Sequence, residues 1–525
     1  MRSFAVLSSS LAATAAAVLV TGASLASAHI GRGVPKDLYL RAVADGSWQD
    51  FHSPNGPSPD NRLVSRAHPA VQKRNRAARR QASSLTNAAG LPYPTDEAGM
   101  AKVTDDRVLC NYYYLPELDA IQKNYPSEQT APTSSGVTLL DSDTEGQNVW
   151  NSIKGSIPNI AVKPSNGMGG VDLSGYSAQS DPDCWWSASA CHTPKQTGLP
   201  QDVYECPEPS TWGLTFDDGP NCTHNAFMDF LQENKQKATL YYIGLNVLNH
   251  PLQAQRGLAD GHAICIHTWS HQPMTTLQNE NVFAELWYTA KIIKDVVGVT
   301  PRCWRPPYGD VDDRVRAIAN AMGLSTHIWT DDTNDYNVAP LGPSPTAVIE
   351  QNYNSIIAAG SANPTSGIIV LTHEINDGTM QLFQQEYSNI TKAFKHVVPL
   401  TACLNESNPY EPNSGISYPN FNSYIAGNIM PSGLPSSFSI QAHSYNPLSI
   451  SSAAAAASAT STSGSGSGGS KPSSSSSGKN GGSQSTTSTS NNKGGATALA
   501  PLGSGLAVVA GMAASVGLGA AFVLL

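Results

Sequence analysis

The stretch TWGLTFDDGP, residues 211–220, joins an apolar run to two carboxylates and a turn. Its first part, Trp212–Phe216, is typical of a buried strand, and Asp217 and Asp218 follow directly. The Gly-Pro pair after them favours a turn. Two adjacent carboxylates in such a place are most often a solvated turn. The stretch therefore predicts the end of a strand, and the segments around it must show whether chemistry belongs there.

Downstream of this stretch, strand-like apolar runs alternate with helical patterns as far as Cys403. In the longest helical pattern, apolar residues recur at helical spacing up to Gly298, a residue type that commonly ends helices. Such alternation predicts an α/β fold with a parallel sheet, either open or closed into a barrel. Strands are predicted at 212–216, 238–243, 263–266, around Cys303, 325–329 and 367–371, and helices at 225–234, 281–297, 312–322 and 346–359.

Ionisable side chains follow five of the predicted strands. In α/β folds, the loops past the carboxyl ends of parallel strands carry the chemistry. Taken alone, each group has an ordinary explanation, such as a structural ion pair for Arg305 or a core position for His373. Their recurrence at strand ends predicts one shared site. The groups are Asp217 and Asp218, His267 and His271, Arg305, Asp331, Asp332 and Asp335, and His373 and Glu374.

In their order, these segments resemble the five motifs of the polysaccharide deacetylase family, also called NodB homology or carbohydrate esterase family 4. The resemblance covers roughly residues 205–403 and implies a distorted, often incomplete (β/α) barrel. The fourth motif departs from the family pattern, because Tyr336 stands where relatives have a Trp that helps to wall the substrate groove. The motifs are TFDDGP at 215–220, HTWSH at 267–271, RPPYG at 305–309, DTNDY at 332–336 and IVLTH at 369–373.

The resemblance implies a site for one divalent cation. Its ligands would be Asp218, His267 and His271, which leaves coordination positions for water and substrate, as in catalytic zinc sites. Zn²⁺ is the expected ion. Co²⁺ and Mn²⁺ remain alternatives, because the ligand set does not choose among them.

The same resemblance implies roles for the groups around the cation. Asp217 would be the general base that takes a proton from the attacking water, with Arg305 keeping it ionised and oriented. The backbone N–H of Tyr308 would donate to the oxyanion. His373 would be the general acid that protonates the leaving amine, and Asp335 would orient it and raise its pKa.

Several residues are expected to contact the substrate. Asp217, Tyr308 and Leu371 fall in the motifs that face it in the family. Trp304 and Trp329 are candidates, with Leu371, for stacking on sugar rings or lining an acetyl pocket. Aromatic residues near strand ends are, however, more often part of the core.

The first part of the chain is typical of a secreted protein. Residues 1–28 have a charged start, an apolar run and an Ala-Ser-Ala site, the pattern of a signal peptide. Residues 29–104 are interpreted as a pro-like or flexible segment, whose basic cluster at 73–80 is typical of a processing site. Residues 105–204 form an irregular N-terminal extension to the catalytic domain, 205–403.

The last part of the chain predicts a surface anchor. After a C-terminal extension at 404–450, residues 451–495 consist mainly of Ser, Gly, Thr, Ala and Asn, a composition typical of a disordered linker. Residues 496–525 end in an apolar tail without charge, as in a GPI-attachment signal. Asn492 or Gly494 is the predicted attachment residue.

The eight cysteines all lie between the signal peptide and the linker. An even number in a secreted chain favours disulfides. Cys184 with Cys191 would close a local loop, and Cys206 with Cys403 would tie together the two ends of the catalytic domain. A cysteine zinc site is not supported, since no C-x-x-C spacing occurs.

The remaining features concern the compartment and the substrate. N-glycosylation acceptors begin at Asn221, Asn389 and Asn405, and a net charge of −9 argues against a nucleic-acid partner. The motifs do not separate chitin, peptidoglycan and acetylxylan. Together with a secretion signal and a GPI anchor, they predict metal-dependent deacetylation of fungal cell-wall chitin to chitosan, next to the glucan and mannoprotein matrix. Acetylxylan as substrate, or a non-catalytic chitin-binding wall glycoprotein, are the alternatives.

Overall fold

The computed structural model describes residues 94–445 except 106–108, 111–114, 127–134, 168, 339–345, 364 and 412–413. The predicted signal peptide, basic cluster, linker and GPI signal, with Asn492 and Gly494, lie outside the described residues. Those predictions therefore stay predictions. Within the described ranges, no helix combines the length and the apolar character needed to cross a bilayer.

The strands of the described residues form one nine-stranded sheet. β2 lies at its centre, with β3, β8 and β9 each paired to it in parallel. Parallel ladders continue from β3 through β4 and β5 to β6, and β7 pairs in parallel with β8. The strands are β1 Glu205–Cys206, β2 Thr211–Gly219, β3 Thr239–Tyr242, β4 Ala263–Ile266, β5 Cys303–Trp304, β6 Ser325–Thr326, β7 Asp331–Asp332, β8 Gly367–Leu371 and β9 His396–Val398.

This arrangement confirms the predicted α/β fold and its incomplete barrel. Among the described residues no ladder joins β6 to β7, although only four residues separate them along the chain. Val203 of the N-terminal extension enters this gap and forms a bridge with His327. The strand predicted at 325–329 is shorter than expected and covers only Ser325–Thr326. Beyond it, Ile328 donates its N–H to the carbonyl of Val203 and not to a strand of the sheet.

Thirteen α-helices are present in the described ranges. α5, α8, α9 and α10 confirm the four predicted helices, and Gly298 ends α8 in a left-handed conformation (φ +87°). The helices are α1 Glu97–Met100, α2 Pro116–Gln122, α3 Thr144–Ile153, α4 Trp186–Ser189, α5 Asn225–Glu233, α6 Gly244–Asn249, α7 Pro251–Ala259, α8 Asn279–Val297, α9 Asp313–Ala321, α10 Thr346–Ser361, α11 Asp377–Ala393, α12 Leu400–Cys403 and α13 Phe421–Ile425.

The region predicted as an N-terminal extension packs into the core of the domain predicted at 205–403. Apolar side chains of α2 and α3, such as Ile121 and Trp150, belong to the same hydrophobic cluster as the buried strands. Trp150 lies 5.5 Å from Phe283 of α8, measured between ring centroids. Because these contacts bury apolar surface from both segments, the extension and the domain stabilise each other.

All eight cysteines are in disulfides. The structure confirms the two predicted pairs. Because Cys184 and Cys191 form a disulfide bond, they cannot serve as thiolate ligands of a metal ion. The Cys206–Cys403 bond links β1 to α12, with 5.4 Å between the two Cα atoms. The four pairs are Cys110–Cys222, Cys184–Cys191, Cys206–Cys403 and Cys265–Cys303.

Candidate active site

The carboxyl ends of the parallel strands bring the predicted ionisable groups to one edge of the sheet. Asp217, near the end of β2, forms a parallel bridge with His373, which follows β8. Ile266 at the end of β4 is in register with Trp304 at the end of β5, so the segments that follow them also lie together. One site therefore contains groups that are far apart in the sequence.

The three predicted metal ligands form a buried cluster. Oδ1 of Asp218 lies 3.2 Å from Nε2 of His267 and 3.1 Å from Nε2 of His271. The ligand atoms all lie within 4.8 Å of one another. In the part of the chain that the structure describes, neither carboxylate oxygen of Asp218 has a partner in hydrogen-bonding geometry. A buried carboxylate that faces two imidazole nitrogens in this way fits a divalent cation.

The position of each imidazole is set by its neighbours. The Nδ1–H of His267 donates to the carbonyl of Arg305 at 2.8 Å, so the other ring nitrogen faces Asp218 with its lone pair. On the loop that joins the two histidines, the backbone N–H groups of Trp269 and Ser270 both donate to Oε2 of Glu285 at 2.8 Å. This carboxylate of α8 thereby fixes the spacing of the ligand pair.

Left-handed backbone conformations concentrate in this site. Asp218, Thr268, His271 and Tyr308 have φ values of 71°, 64°, 57° and 60°. Each costs free energy for a residue with a side chain, most of all for the β-branched Thr268. The surrounding hydrogen bonds, including one from the N–H of His271 to Oγ1 of Thr268 at 3.1 Å, offset this cost.

The pKa shifts of Asp218 and His271 have the directions that suit cation binding. Burial raises the pKa of Asp218, but the neighbouring imidazoles of His271 and His267 outweigh it and hold the pKa well below its usual range. Burial lowers the pKa of His271, against the opposing effect of Asp218. A carboxylate with neutral imidazoles is the form in which these residues bind metal ions.

Asp217 lies beside the cluster, with its carboxylate directed by a buried arginine. Nη1 of Arg305 donates to Oδ1 of Asp217 at 2.8 Å and to the hydroxyl of Thr215 at 2.9 Å. The guanidinium also lies over the ring of Tyr241, 4.2 Å from its centroid. The second oxygen of Asp217, Oδ2, lies 3.7 Å from Nε2 of His267 and points towards the metal-ligand cluster.

His373 and Asp335 form a buried pair at the ends of β8 and of the segment after β7. The Nδ1–H of His373 donates to Oδ1 of Asp335 at 2.6 Å, and its backbone N–H donates to Oδ2 at 2.9 Å. Burial lowers the pKa of His373, but the carboxylate of Asp335 outweighs it and raises the pKa to about 9. The imidazole is therefore charged at neutral pH.

Tyr308 and Tyr336 border the site. Tyr308 belongs to the short 3₁₀ turn Pro307–Gly309, and its ring centroid lies 4.7 Å from that of His271. Tyr336 occupies the position of the family Trp, and its ring packs edge-on against His373 at 5.3 Å. The phenol ring at this position therefore contacts the imidazole of the predicted general acid.

Comparisons with known proteins agree with this geometry. The family profile described as "Polysaccharide deacetylase" matches residues 204–327. Chitin deacetylase 2 of Cryptococcus neoformans var. grubii is 47% identical over 343 residues, which are 63% of this chain and 73% of that protein. The chain belongs to the polysaccharide deacetylase family. Chitin deacetylase of Amylomyces rouxii is likewise 47% identical, over 305 residues that cover 57% of this chain and 71% of the relative.

Within this family member, the aromatic candidates have different environments. Trp304 is fully buried, and its Nε1–H donates to Oγ1 of Thr326 at 3.0 Å, so it belongs to the core and does not stack on a sugar. Leu371 and Trp329 keep 4% and 9% of their surface exposed. Trp186 also lies beside the family's third motif, against Gly309, and only the Trp185-Trp186 pair marked it in the sequence.

The three glycosylation acceptors differ in accessibility. Asn389 and Asn405 are exposed. Asn221 is half-buried, and its side-chain N–H donates to the carbonyl of Ile375. Glycosylation of this deacetylase-family chain stays a prediction, with Asn389 and Asn405 the more accessible acceptors.

Proposed function

We propose that the chain hydrolyses the N-acetyl groups of N-acetylglucosamine units in chitin, releasing acetate and leaving chitosan. The observation that carries this proposal is the buried cluster of Asp218, His267 and His271, flanked by Asp217 and by His373. The named relatives from Cryptococcus neoformans and Amylomyces rouxii are both chitin deacetylases, which favours chitin over acetylxylan as the substrate.

An acetamide is stable because its carbonyl is conjugated with nitrogen, which is also a poor leaving group. Hydrolysis needs an activated water, a stabiliser for the oxyanion and a proton donor to nitrogen. Asp218, His267 and His271 would hold one divalent cation, which when bound lowers the pKa of water and polarises a carbonyl. Zn²⁺ is the ion we propose for this set, with Co²⁺ and Mn²⁺ as substitutes.

Asp217 acts as the general base. Its Oδ1 is occupied by the hydrogen bond from Arg305, so Oδ2, which faces the ligand cluster, accepts the proton of the attacking water. The hydrogen bond from Arg305 holds the carboxylate in this orientation. Tyr308 donates its backbone N–H to the developing oxyanion, and Leu371 contacts the substrate.

His373 acts as the general acid. The water oxygen bonds to the carbonyl carbon, the C–N bond breaks, and the leaving nitrogen takes a proton from the imidazolium. Because Asp335 is bonded to Nδ1, the proton at Nε2 is the one available for transfer. The products are acetate and a glucosamine unit that stays in the polymer.

Asp335→Asn is expected to move the alkaline limb of the pH–activity profile towards acid by about one pH unit or more. A raised pKa keeps His373 protonated up to about pH 9, and activity is lost as the pH rises through that value. Without the carboxylate of Asp335, only the smaller effects of Asp218 and Asp217 oppose burial, so the pKa of His373 falls and the acid deprotonates at a lower pH. The profile of kcat/KM between pH 5 and 10 measures this, and an unchanged alkaline limb would contradict the role of Asp335.

We further propose that the protein is secreted and held by a GPI lipid, attached at Asn492 or Gly494, in or near the glucan and mannoprotein of the wall. Four disulfides among the described residues support an oxidising compartment. Release of the protein from cells by a phosphatidylinositol-specific phospholipase tests this proposal, and retention of all the protein on treated cells would count against the anchor.

The function is tested by acetate release from N-acetylglucosamine oligomers, with acetylxylan in parallel. We expect release from the oligomers to stop on treatment with a chelator and to return with Zn²⁺, Co²⁺ or Mn²⁺. Greater acetate release from acetylxylan than from the oligomers would identify acetylxylan as the substrate. No release by folded, metal-loaded protein, together with binding to chitin, would favour a non-catalytic wall protein.

A further inference from the structure

Trp186, the first residue of α4, lies against the turn that presents Tyr308. It belongs to the extension loop closed by the Cys184–Cys191 disulfide. Gly309 has a φ of +67°, and a Cβ at this position would lie 2.3 Å from Cζ3 of Trp186. The indole therefore occupies the space of a side chain at position 309, one residue beyond Tyr308.

A second tryptophan connects Trp186 to the interior of the site. The rings of Trp186 and Trp329 meet at 60°, with 4.8 Å between their centroids. Trp329 is nearly buried, and the guanidinium of Arg305 lies 5.7 Å from its ring centroid. Trp186 is only partly buried. It is therefore the outer member of an aromatic pair whose inner member lies beside the arginine that holds Asp217.

The residues on both sides of Trp186 are bonded to one buried carboxylate. The Nε1–H of Trp185 and the hydroxyl of Ser187 donate to Oδ1 of Asp310, at 2.8 and 2.7 Å. The backbone N–H of Trp186 donates to the carbonyl of Val311 at 2.9 Å. These bonds attach the loop to the segment that directly follows Gly309, so the indole is held in place before any ligand binds.

The same carboxylate also reaches the loop that follows the metal-ligand pair. Asp310 accepts from the backbone N–H and the hydroxyl of Thr275, both at 2.8 Å on Oδ2. The carboxylate of Asp310 directly follows the turn Pro307–Gly309, and it accepts hydrogen bonds from both the extension loop and the loop after His271. This sets the position of Trp186 relative to the catalytic groups.

We propose that Trp186 is a platform on which a sugar ring of the bound polymer stacks, so that the N-terminal extension completes the substrate-binding site. The C–H face of a pyranose is apolar and flat enough to pack on an indole. A side chain that is already ordered loses little conformational entropy on binding. The identity of the sugar, an N-acetylglucosamine unit, rests on the proposed function, whereas the position of the platform does not.

The test compares the full chain with its Trp186→Ala and Trp186→Phe variants. Binding of the N-acetylglucosamine tetramer is measured by calorimetry, and acetate release from it gives KM and kcat. We expect Trp186→Ala to raise Kd and KM about 10-fold with kcat nearly unchanged. Trp186→Phe keeps a flat aromatic face, so it is expected to retain most of the affinity.

Tyr204→Ala is the matched control. Tyr204 is also a partly exposed aromatic residue of the extension, but it stacks on His192, with 3.8 Å between ring centroids, and not on the turn at Tyr308. We expect its loss to leave Kd and KM as they are. An equal loss of affinity in both alanine variants would show a general effect on the extension and would overturn the platform.

The outcomes separate this proposal from the proposed function. Tetramer binding that depends on Trp186 without acetate release would retain the platform and reject the deacetylase. Acetate release with unchanged Kd and KM in Trp186→Ala would retain the deacetylase and reject the platform. A fall in kcat alone, in both Trp186 variants, would mean that the indole supports the turn at Tyr308 and would overturn the platform. A wild-type chain that neither binds nor deacetylates the tetramer would overturn both.

Discussion

Asp217→Asn is expected to lower kcat about 1,000-fold while the protein keeps its metal. The amide retains the shape of the side chain and can still accept the hydrogen bond of Arg305 at Oδ1, which is 2.8 Å long in the native protein. It cannot take a proton from water. The metal should remain, because the ligand cluster consists of Asp218, His267 and His271. The measurements are acetate release from the chitin tetramer and metal content by mass spectrometry.

Asp229→Asn provides the control for this change. Asp229 lies on α5 with a side chain that is 47% exposed, paired with Arg256. The same chemical change there should leave both activity and metal content as in the native protein, since Asp229 is not part of the ligand cluster and Arg256 keeps a second carboxylate partner, Asp260. Turnover by Asp217→Asn close to the native rate would contradict the assignment of the base. Loss of metal in that variant would instead make Asp217 part of the ligand set.

Asp218→Asn and His271→Ala are expected to lose the cation, and activity with it. Each change removes one of the three proposed ligands, and we expect the affinity for Zn²⁺ to fall by at least about 100-fold. Mutation of residues that only hydrogen-bond to metal ligands already lowers metal affinity by about 10- to 100-fold. Titration with a competing chelator measures this affinity directly, without substrate. In Asp218→Asn, a large excess of Zn²⁺ should restore part of the activity, because the two imidazoles remain.

His192→Ala separates loss of a ligand from loss of any histidine. His192 lies in the N-terminal extension, directly after Cys191, where it is partly exposed and stacks on Tyr204; it is not part of the buried cluster. We expect this variant to bind one cation per chain with the native affinity. Stoichiometric metal in purified Asp218→Asn or His271→Ala, retained against the chelator, would refute the proposed ligand set.

The sequence predicted which ionisable groups come together because these groups stand at strand ends. A buried strand such as Trp212–Phe216 is recognisable from its composition, and parallel strands bring the residues that follow them to one edge. Asp217 and His373 therefore meet although 155 intervening residues separate them. This proximity can be predicted without knowing the conformations of the connecting loops.

Other elements could not be predicted because their signals are not local. β7 and β9 have two and three residues, too few for a period, and their pairing is determined by β8 and β2. The residues of α7 are buried on nearly every side, so no polar face marks the helix. α11 is different, since Asn376 forms a capping box at its start, a signal that the sequence does contain.

The residues that position the site were also beyond prediction. Glu285 and Asp310 are single acidic residues whose importance comes from distant partners, the Trp269–Ser270 loop and the Trp185–Ser187 segment. Nothing in their own neighbourhood distinguishes them from solvated carboxylates. Two of the four disulfides could not be predicted for the same reason. Cys110–Cys222 and Cys265–Cys303 depend on how the extension and the strands pack in three dimensions.

The Cys206–Cys403 bond has a mechanical consequence. It joins the first strand of the catalytic domain to its last helix, so the 196 residues between the two cysteines form a covalently closed loop. Tension applied between the segment just before Cys206 and the segment just after Cys403 would pass through the disulfide, and the ladders of β2 with β8 and β9 would bear little of it. The proposed active-site groups at the ends of those strands would then keep their arrangement under tension that would separate the strands of an uncrosslinked sheet.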